Sequence, residues 1–353
     1  MGKTRGASTH PHVKTVNLAL QGGGAHGAFT WGALDALLED GRVDFEGLCG
    51  TSAGAMNAAV LAYGWLQDGR DGAREALARF WDDIAAEGTL WGALRPSADA
   101  LAWFGIDAAM GAAARHAIVE TWARLFSPYQ FNPWNFNPLR TVLERTIDFE
   151  ALSAPHCLKL FVCATNVRSG KVRIFGNGEI TADSLLASAC LPQLFKAVEI
   201  DGEAYWDGGY MGNPALYPLF YRTRSSDIVV IHVNPIQREQ IPRTPAEIAN
   251  RVNEISFNSS LLREMRAIAF AARLVDEGWL KDEFKGRVRH MLMHSIRDDA
   301  VMGDIGVASK LNPDRAFLHG LRDHGRRVAK AWLERHFDDL GIRDSVDLQL
   351  EFL

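Results

Sequence analysis

Apolar residues along the chain form two kinds of pattern, short runs and longer segments with helical spacing. The short runs, rich in Val, Ile, Leu and Phe, predict β-strands at 16–20, 45–49, 158–166, 171–175, 227–233 and 290–296. Apolar residues spaced along one helix face predict α-helices at 28–39, 53–66, 71–84, 139–146, 183–190, 244–280 and 315–337. Strands that alternate with helices predict an α/β fold, whose central sheet we expect to be mostly parallel.

A G-x-S-x-G motif, Gly50-Thr51-Ser52-Ala53-Gly54, lies between the second predicted strand and the second predicted helix. A serine on such a sharp turn exposes its hydroxyl beyond the end of the sheet, as a nucleophile requires. Gly50 and Gly54 leave room for the tight path and for close packing of helix on strand. The N–H of Ala53, at the helix N-terminus, points toward the same spot. The structural alternative is a serine that only caps the helix.

A glycine-rich loop, GGGAHG at 22–27, joins the first predicted strand to the first predicted helix. Consecutive glycines let backbone N–H groups converge on one anion at the positive end of a helix. Three interpretations are open: an oxyanion hole for Ser52, a structural turn without a ligand, and a dinucleotide site. The dinucleotide site requires an acidic residue after the next strand, where this chain instead forms the serine turn. A P-loop is excluded because no Gly-Lys-Ser/Thr sequence follows.

Asp207 comes directly after a predicted hairpin formed by 198–200 and 203–205, and it precedes Gly208 and Gly209. An aspartate before glycine most often forms a turn. In a chain with a candidate nucleophile, it is also a candidate base that takes the serine proton.

Aromatic residues concentrate between 68 and 148, which predicts a helical, Trp-rich insertion. We interpret it either as extra core over one sheet edge or as a lid or acyl-binding wall that contacts lipid. Around it we expect a disordered lead at 1–14 and a catalytic domain at 15–235. A C-terminal helical extension at 236–353, with one strand, would pack on the same domain. The cations of its last helix either dock on anionic membrane or form a solvated face.

Amino-acid composition indicates which classes of protein the chain fits and which partners it disfavours. Hydrophobic residues make up 47% of the 353 residues and charged residues 23%, which is ordinary for a globular protein with a large core. A net charge of -5 argues against nucleic acid as the main partner. The cysteines lack C-x-x-C or metal-ligand spacing, which favours reduced thiols in the cytoplasm; they are Cys49, Cys157, Cys163 and Cys190. No secretory signal and no apolar run of about 18 residues is expected.

Four motifs occur in the order and rough spacing of the patatin-like phospholipase family. They are the glycine loop at 22–27, the serine motif at 50–54, ASACLP at 187–192 and DGG at 207–209. Between about residues 16 and 233 the chain resembles a bacterial member of that family. The resemblance implies a three-layer α/β/α fold and a lipid acyl hydrolase that needs no metal or cofactor. It also implies a Ser-Asp dyad and a glycine-rich oxyanion loop.

Transferred residue by residue, the resemblance makes Ser52 the nucleophile and Asp207 the base. The oxyanion donors are then Gly22, Gly23 and Gly24, together with Ala53 from the serine turn. The glycines that support the motifs are Gly27, Gly50, Gly54, Gly208 and Gly209. The family loop usually carries Arg or Lys where this chain has His26. We therefore expect the cation near the loop to be lost or to depend on pH.

A serine hydroxyl attacks at neutral pH only when a base takes its proton. Because an aspartate is a poor base at its reference pKa of about 3.9, we expect a partly desolvated site that raises the pKa of Asp207. A Ser-His-Asp triad is the alternative mechanism, with His26 as the best candidate histidine, ahead of His232 and His294.

The sequence thus predicts a serine lipid acyl hydrolase of phospholipase A or carboxylesterase type that forms an acyl-serine intermediate. The alternatives are a non-enzymatic scaffold that binds lipid or a partner, and an esterase acting on another ester such as a storage polyester. We expect a lipid or ester substrate and a cytoplasmic location. Peripheral contact of the protein with the inner membrane is a further option. No sequence feature indicates an oligomeric state.

Overall fold

The structure is a computed structural model, and it describes residues 13–93, 127–154, 158–280 and 289–352. Most of the predicted disordered lead, much of the predicted Trp-rich insertion and Cys157 lie outside the described residues. The predicted lead includes Lys14, which the structure instead places in the first strand.

Within the described residues, one sheet contains β1 Lys14–Leu20, β2 Val43–Thr51, β3 Lys159–Asn166, β4 Val172–Gly176, β5 Val198–Ile200, β6 Glu203–Asp207, β7 Asp227–Ile231 and β8 Leu292–Ile296. The strand order is β5-β6-β3-β2-β1-β7-β8, and β4 also pairs with β3. Strands β1, β2, β3, β7 and β8 pair in parallel, while β4, β5 and β6 join through antiparallel pairs. The sheet is therefore mostly parallel, as predicted.

The α-helices of the described residues are α1 Gly27–Asp40, α2 Ala53–Ala93, α3 Pro128–Phe131, α4 Pro138–Thr146, α5 Phe149–Ser153, α6 Ala182–Ser188, α7 Tyr217–Arg222, α8 Pro245–Asp276, α9 Asp299–Asp304, α10 Arg315–His336 and α11 Leu348–Phe352. Short 3-10 turns lie at Gly24–His26, Asn177–Glu179, Gly208–Tyr210, Val307–Leu311 and Phe337–Asp339. Helix α2 contains two of the predicted helices and bends where Asp68 and Gly69 leave the helical conformation.

Two apolar clusters cover opposite faces of the sheet, because side chains alternate along each strand. Leu18 and Leu20 belong to the cluster that α1, α2 and α10 complete. Ala19, between them, belongs to the cluster that includes Leu219 of α7 and Leu261 of α8. Strands that are apolar on both faces are typical of a parallel sheet covered by helices on both sides. The predicted three-layer α/β/α fold is confirmed.

Helix α10 packs on α1 and forms ion pairs with it. Arg326 pairs with Asp35 and Glu39, and Lys330 pairs with Glu39 at 2.7 Å. These two cations of the predicted cationic face thus have partners within the protein. None of the described helices is long and apolar enough to cross a bilayer.

Candidate active site

Strand β3 brings the serine turn and the DGG turn together. Thr51, at the end of β2, pairs with Cys163 of β3. Asp207, at the end of β6, pairs with the next residue of β3, Ala164. The residue after Thr51 therefore lies beside Asp207, although 155 positions separate Ser52 from it in the sequence.

Ser52 lies on a left-handed turn between β2 and α2, with a φ of 53°. Such a φ is uncommon for a residue with a side chain and persists only where the surroundings hold it. The N–H of Ser52 donates to Oγ of Ser188 at 2.8 Å, so the ASACLP segment holds the turn from the side. This role of Ser188 had no separate signal in the sequence.

Asp207 is buried, with 1% of its surface exposed. Its Oδ1 accepts from the N–H of Gly209 at 2.7 Å, and the Ser52 side chain lies close enough to the carboxylate to lower its pKa. Burial raises the pKa of Asp207 from 3.8 to about 7, although Gly209, Ser52 and Lys310 each lower it. This is the direction expected for a carboxylate that has to act as a base near neutral pH.

The glycine loop lies directly against the serine turn. A β-carbon on Gly22 would lie 2.8 Å from Cβ of Ser52, so a side chain does not fit there. The N–H of Gly22 donates to Oδ1 of Asn213 at 2.7 Å, which corrects its prediction as an oxyanion donor. Among the described residues, no acceptor lies within hydrogen-bond range of the N–H groups of Gly23, Gly24 and Ala53. These three donors remain available to a ligand.

The other motif glycines lie where chain segments approach closely. A β-carbon would overlap the Leu20 carbonyl at Gly54, and the Phe257 ring at Gly209. Three further glycines are equally crowded. A β-carbon would overlap the Ala53 side chain at Gly27, the Gly54 carbonyl at Gly50 and the Cys163 carbonyl at Gly208.

The candidate histidines lie outside the Ser52–Asp207 pair. His232 is within 3.1 Å of Oγ of Ser295, and His294 is within 3.0 Å of Oδ1 of Asp227. His26 hydrogen-bonds Oγ of Ser309 at 2.7 Å. Burial and the charge of Lys310 lower the pKa of His26 to about 3, so this ring is neutral at physiological pH. Of the two alternatives expected at position 26, a lost cation and a pH-dependent one, the neutral ring agrees with the first.

Lys310 supplies a cation that sequence reasoning missed. It lies on the Val307–Leu311 turn and lines the same cavity as Ser52 and Asp207. Its Nζ donates to Oδ1 of Asn234 at 2.8 Å and to Oδ1 of Asn253 at 3.1 Å. A single lysine in a short turn has no pattern that would mark it, whereas Asn234 follows a parallel strand at the edge where ligand sites form.

The cavity above the pair has a volume of about 510 Å³. Its walls are mostly apolar and come from several elements, with contributions from Met56, Phe80, Trp81, Ile84, Leu139, Val142, Leu191, Leu194, Phe195, Phe257 and Leu311. The Gly23, Gly24 and Ala53 backbone lines its polar floor with Ser52 and Asp207. Phe80, Trp81 and Leu139 belong to the predicted insertion, so its described part forms a wall of the cavity.

Among the described residues, no three His, Cys, Asp or Glu side chains are placed to hold a metal ion. The polar residues that line the cavity include Ser52, Asp207 and Lys310, beside the backbone of Gly23, Gly24 and Ala53. Such a set suits attack on a carbonyl carbon, because it combines a nucleophile, a base and donors for the resulting oxyanion.

Comparison with known proteins adds a family match. The family model for patatin-like phospholipases matches residues 18–220, which is more than half of the chain. Among solved structures, the chain is similar to VipD from Legionella pneumophila, at 15% identity and a TM-score of 0.43. That alignment covers 92% of this chain and 67% of VipD. No curated protein sequence matches the chain.

Proposed function

The chain belongs to the patatin-like phospholipase family, and from this premise we propose that it is a serine hydrolase of lipid esters. In the proposal, Ser52 is the nucleophile and Asp207 is the general base. The oxyanion donors are the N–H groups of Gly23, Gly24 and Ala53.

One observation carries the proposal more than any other. Ser52 and the buried Asp207 line one mostly apolar cavity, and the Ser52 side chain is close enough to lower the pKa of the Asp207 carboxylate. Gly23, Gly24 and Ala53 line the same cavity, and their N–H groups have no hydrogen-bond partner among the described residues. A serine that only caps a helix needs neither the carboxylate nor these donors. This arrangement supports the roles of nucleophile, base and oxyanion hole that we propose.

Acylation follows from these groups. The Asp207 carboxylate takes the proton of Ser52 as Oγ attacks the ester carbonyl carbon. The C=O electron pair moves to oxygen, and the N–H groups of Gly23, Gly24 and Ala53 stabilise that oxyanion. Each such donor contributes on the order of 3 kcal/mol to the transition state. When the carbonyl forms again, the C–O bond to the alcohol breaks and Asp207 returns its proton to the leaving oxygen.

Deacylation uses the same groups in the same order. Water loses a proton to Asp207 and attacks the acyl-serine carbonyl, and the oxyanion again binds to the loop. Collapse releases the carboxylic acid and returns the proton to Ser52. The base must be ionised to begin each half, so the rate rises with pH through the pKa of Asp207 at about 7.

The apolar cavity supports a substrate with a hydrocarbon chain. About 510 Å³ bounded by side chains such as Phe80, Trp81 and Phe195 provides little for a small polar ester to bind. Each CH₂ group transferred from water to such a wall contributes about 0.8 kcal/mol. We therefore infer that fatty acyl esters are the substrate class.

The test is hydrolysis of p-nitrophenyl esters of increasing acyl length by the wild type, Ser52→Ala and Asp207→Asn. The wild type should hydrolyse long-chain esters with a larger kcat/KM than the acetate ester. Both variants should fold, which circular dichroism checks, and should lose at least about 1,000-fold in kcat.

Full activity in Ser52→Ala would contradict the proposal, as would a folded wild type without activity on any ester or phospholipid. The second result would favour the non-enzymatic lipid-binding scaffold. Equal kcat/KM across acyl lengths would contradict the substrate class and leave the dyad standing.

A further inference from the structure

The Val307–Leu311 turn packs directly on the glycine loop, although it lies outside the family-matched residues 18–220. A β-carbon on Gly24 would overlap the backbone carbonyl of Lys310. Beside it, Oγ of Ser309 donates to the carbonyl of Gly306 at 2.6 Å, so Ser309 accepts from Nε2 of His26. Two contacts thus hold this turn against the loop that carries the proposed oxyanion donors.

The Lys310 side chain connects the turn to Asn234. An ammonium group only donates hydrogen bonds, so the atom of Asn234 that faces Nζ is the carbonyl oxygen Oδ1. The amide nitrogen of Asn234 must then face the other way. There Nδ2 donates to the backbone carbonyl of Gly22 at 2.8 Å. The lysine charge and the orientation of the Asn234 amide are therefore linked.

The carbonyl of Gly22 and the N–H of Gly23 belong to one planar trans peptide and point in opposite directions. A hydrogen bond that fixes the Gly22 carbonyl therefore also fixes the direction of the Gly23 N–H. Asn213 holds the N–H of Gly22 from the other side at 2.7 Å. Gly22 is thus held at both of its polar groups, and Gly23 lines the cavity beside Ser52.

We propose that Lys310 is a positioning residue of the oxyanion hole, which acts through Asn234 to hold the Gly22–Gly23 peptide so that the Gly23 N–H faces the reacting carbonyl. This proposal rests on the proposed hydrolase function. It assigns a role at the glycine loop to the C-terminal part of the chain, because His26 of the loop is neutral and the cation beside the loop comes from Lys310.

The titratable groups that act on Lys310 come from three elements. Asp207 is the last residue of β6, Glu254 lies on α8 and His26 lies on the glycine loop. Burial lowers the pKa of Lys310 from 10.5 to about 8, while Glu254 and Asp207 raise it. Above pH 8 the ammonium becomes a neutral amine, so its hold on Asn234 weakens.

The experiment measures kcat and KM for a long-chain p-nitrophenyl ester in Lys310→Met, Asn234→Ala and the double variant. Loss of one aligned oxyanion donor lowers kcat by about 100-fold, and KM should stay within about threefold because the ester ground state makes no such bond. Because both side chains act on one peptide, the double variant should lose about as much as either single variant.

Lys330→Met, which removes a half-exposed lysine of α10, is the matched control and should keep the wild-type kcat. If the wild type is active and Ser52→Ala is inactive, the proposed hydrolase function stands. A failure of the Lys310 proposal is then distinguished from a failure of the proposed function. The proposal is overturned if either single variant keeps kcat within about threefold of wild type, if the loss lies in KM, or if the losses multiply in the double variant.

The pH profile gives a second readout that a purely structural role would not change. Wild-type kcat should fall above a pH of about 8 as Lys310 loses its proton, and Lys310→Met should lack this fall. The same alkaline fall in both proteins would contradict the proposal. If Lys310→Met does not fold, which its circular dichroism shows, Asn234→Ala and the wild-type alkaline fall decide the question.

Discussion

Asp207 is a buried carboxylate whose hydrogen bonds do not replace the water that it loses on folding. Burial is the largest influence on its pKa, and it outweighs the bonds from Gly209 and Ser52. The unfolded chain ionises this group near pH 4, whereas the folded protein keeps the proton to about pH 7. A carboxylate whose pKa suits a base near neutral pH is therefore obtained at the expense of stability, a trade-off common at active sites.

Replacing Asp207 with Asn should stabilise the protein at alkaline pH. Between pH 5 and 7 the unfolded state has already lost the Asp207 proton while the folded state keeps it, so wild-type stability falls as pH rises. Asn cannot ionise, and its amide can still accept from Gly209 and donate to Ser52. The advantage of Asp207→Asn in free energy of unfolding should grow by about 2 to 3 kcal/mol from pH 5 to pH 8.

Urea unfolding at both pH values measures this difference. Asp71→Asn is the control, because it also removes one carboxylate but from an exposed position on α2. A pH-independent difference between wild type and Asp207→Asn would contradict the raised pKa.

At the scale of elements, α1 and α10 approach each other so closely that backbone meets backbone. At Gly32 of α1, a β-carbon would overlap the Arg322 carbonyl, and at Gly325 of α10 it would overlap the Phe29 carbonyl. Each helix therefore presents a glycine to the backbone of the other. Since α1 begins at the glycine loop, this crossing also fixes the start of α1 relative to the C-terminal part of the chain.

Gly325→Ala should destabilise the protein by at least about 2 kcal/mol, because the added methyl group has no space and the helices must separate. Gly320→Ala on the same helix is the control, since a β-carbon there meets nothing within 4 Å. That change should instead stabilise the protein by about 0.5 to 1 kcal/mol through helix propensity. Thermal unfolding of both variants measures these changes in stability. Equal changes in the two variants would contradict the close crossing of α1 and α10.

The strand and helix pattern was predictable because apolar spacing is a local property. The runs at 16–20 and 45–49 lie within β1 and β2, and 315–337 nearly coincides with α10. Short elements such as α7 and α9 were missed because six residues are too few to show a helical spacing of apolar positions. The bend at Asp68 and Gly69 within α2 was predicted only as a gap between two helices.

The site shows the same division between local and distant information. The sequence motifs contain Ser52, Asp207, Gly23 and Gly24. Residues of these types in these motifs indicate a chemical role without knowledge of the fold. The partners of Gly22 were not predictable, because Asn213 and Asn234 reach it only through the folded sheet. Sequence reasoning therefore found the groups that we propose to react and missed those that orient the glycine loop.

At the scale of the whole molecule, the C-terminal third is part of the same sheet and the same cavity. Strand β8 pairs with β7, α10 packs on α1, and Lys310 with Leu311 lines the cavity. The family-matched residues end at 220, before β8, Lys310 and α10. We therefore expect the chain to need its C-terminal third both for folding and for the alignment of the oxyanion loop.

The central claim, that Ser52 attacks with Asp207 as its base, is tested most directly by covalent labelling. The full-length protein is incubated with a fluorophosphonate, digested, and the modified residue is located by mass spectrometry. We predict one adduct per chain on Ser52, none in Ser52→Ala, and labelling slowed by at least about 100-fold in folded Asp207→Asn. An adduct on another serine, no adduct on folded wild type, or unchanged labelling in Asp207→Asn would contradict the account.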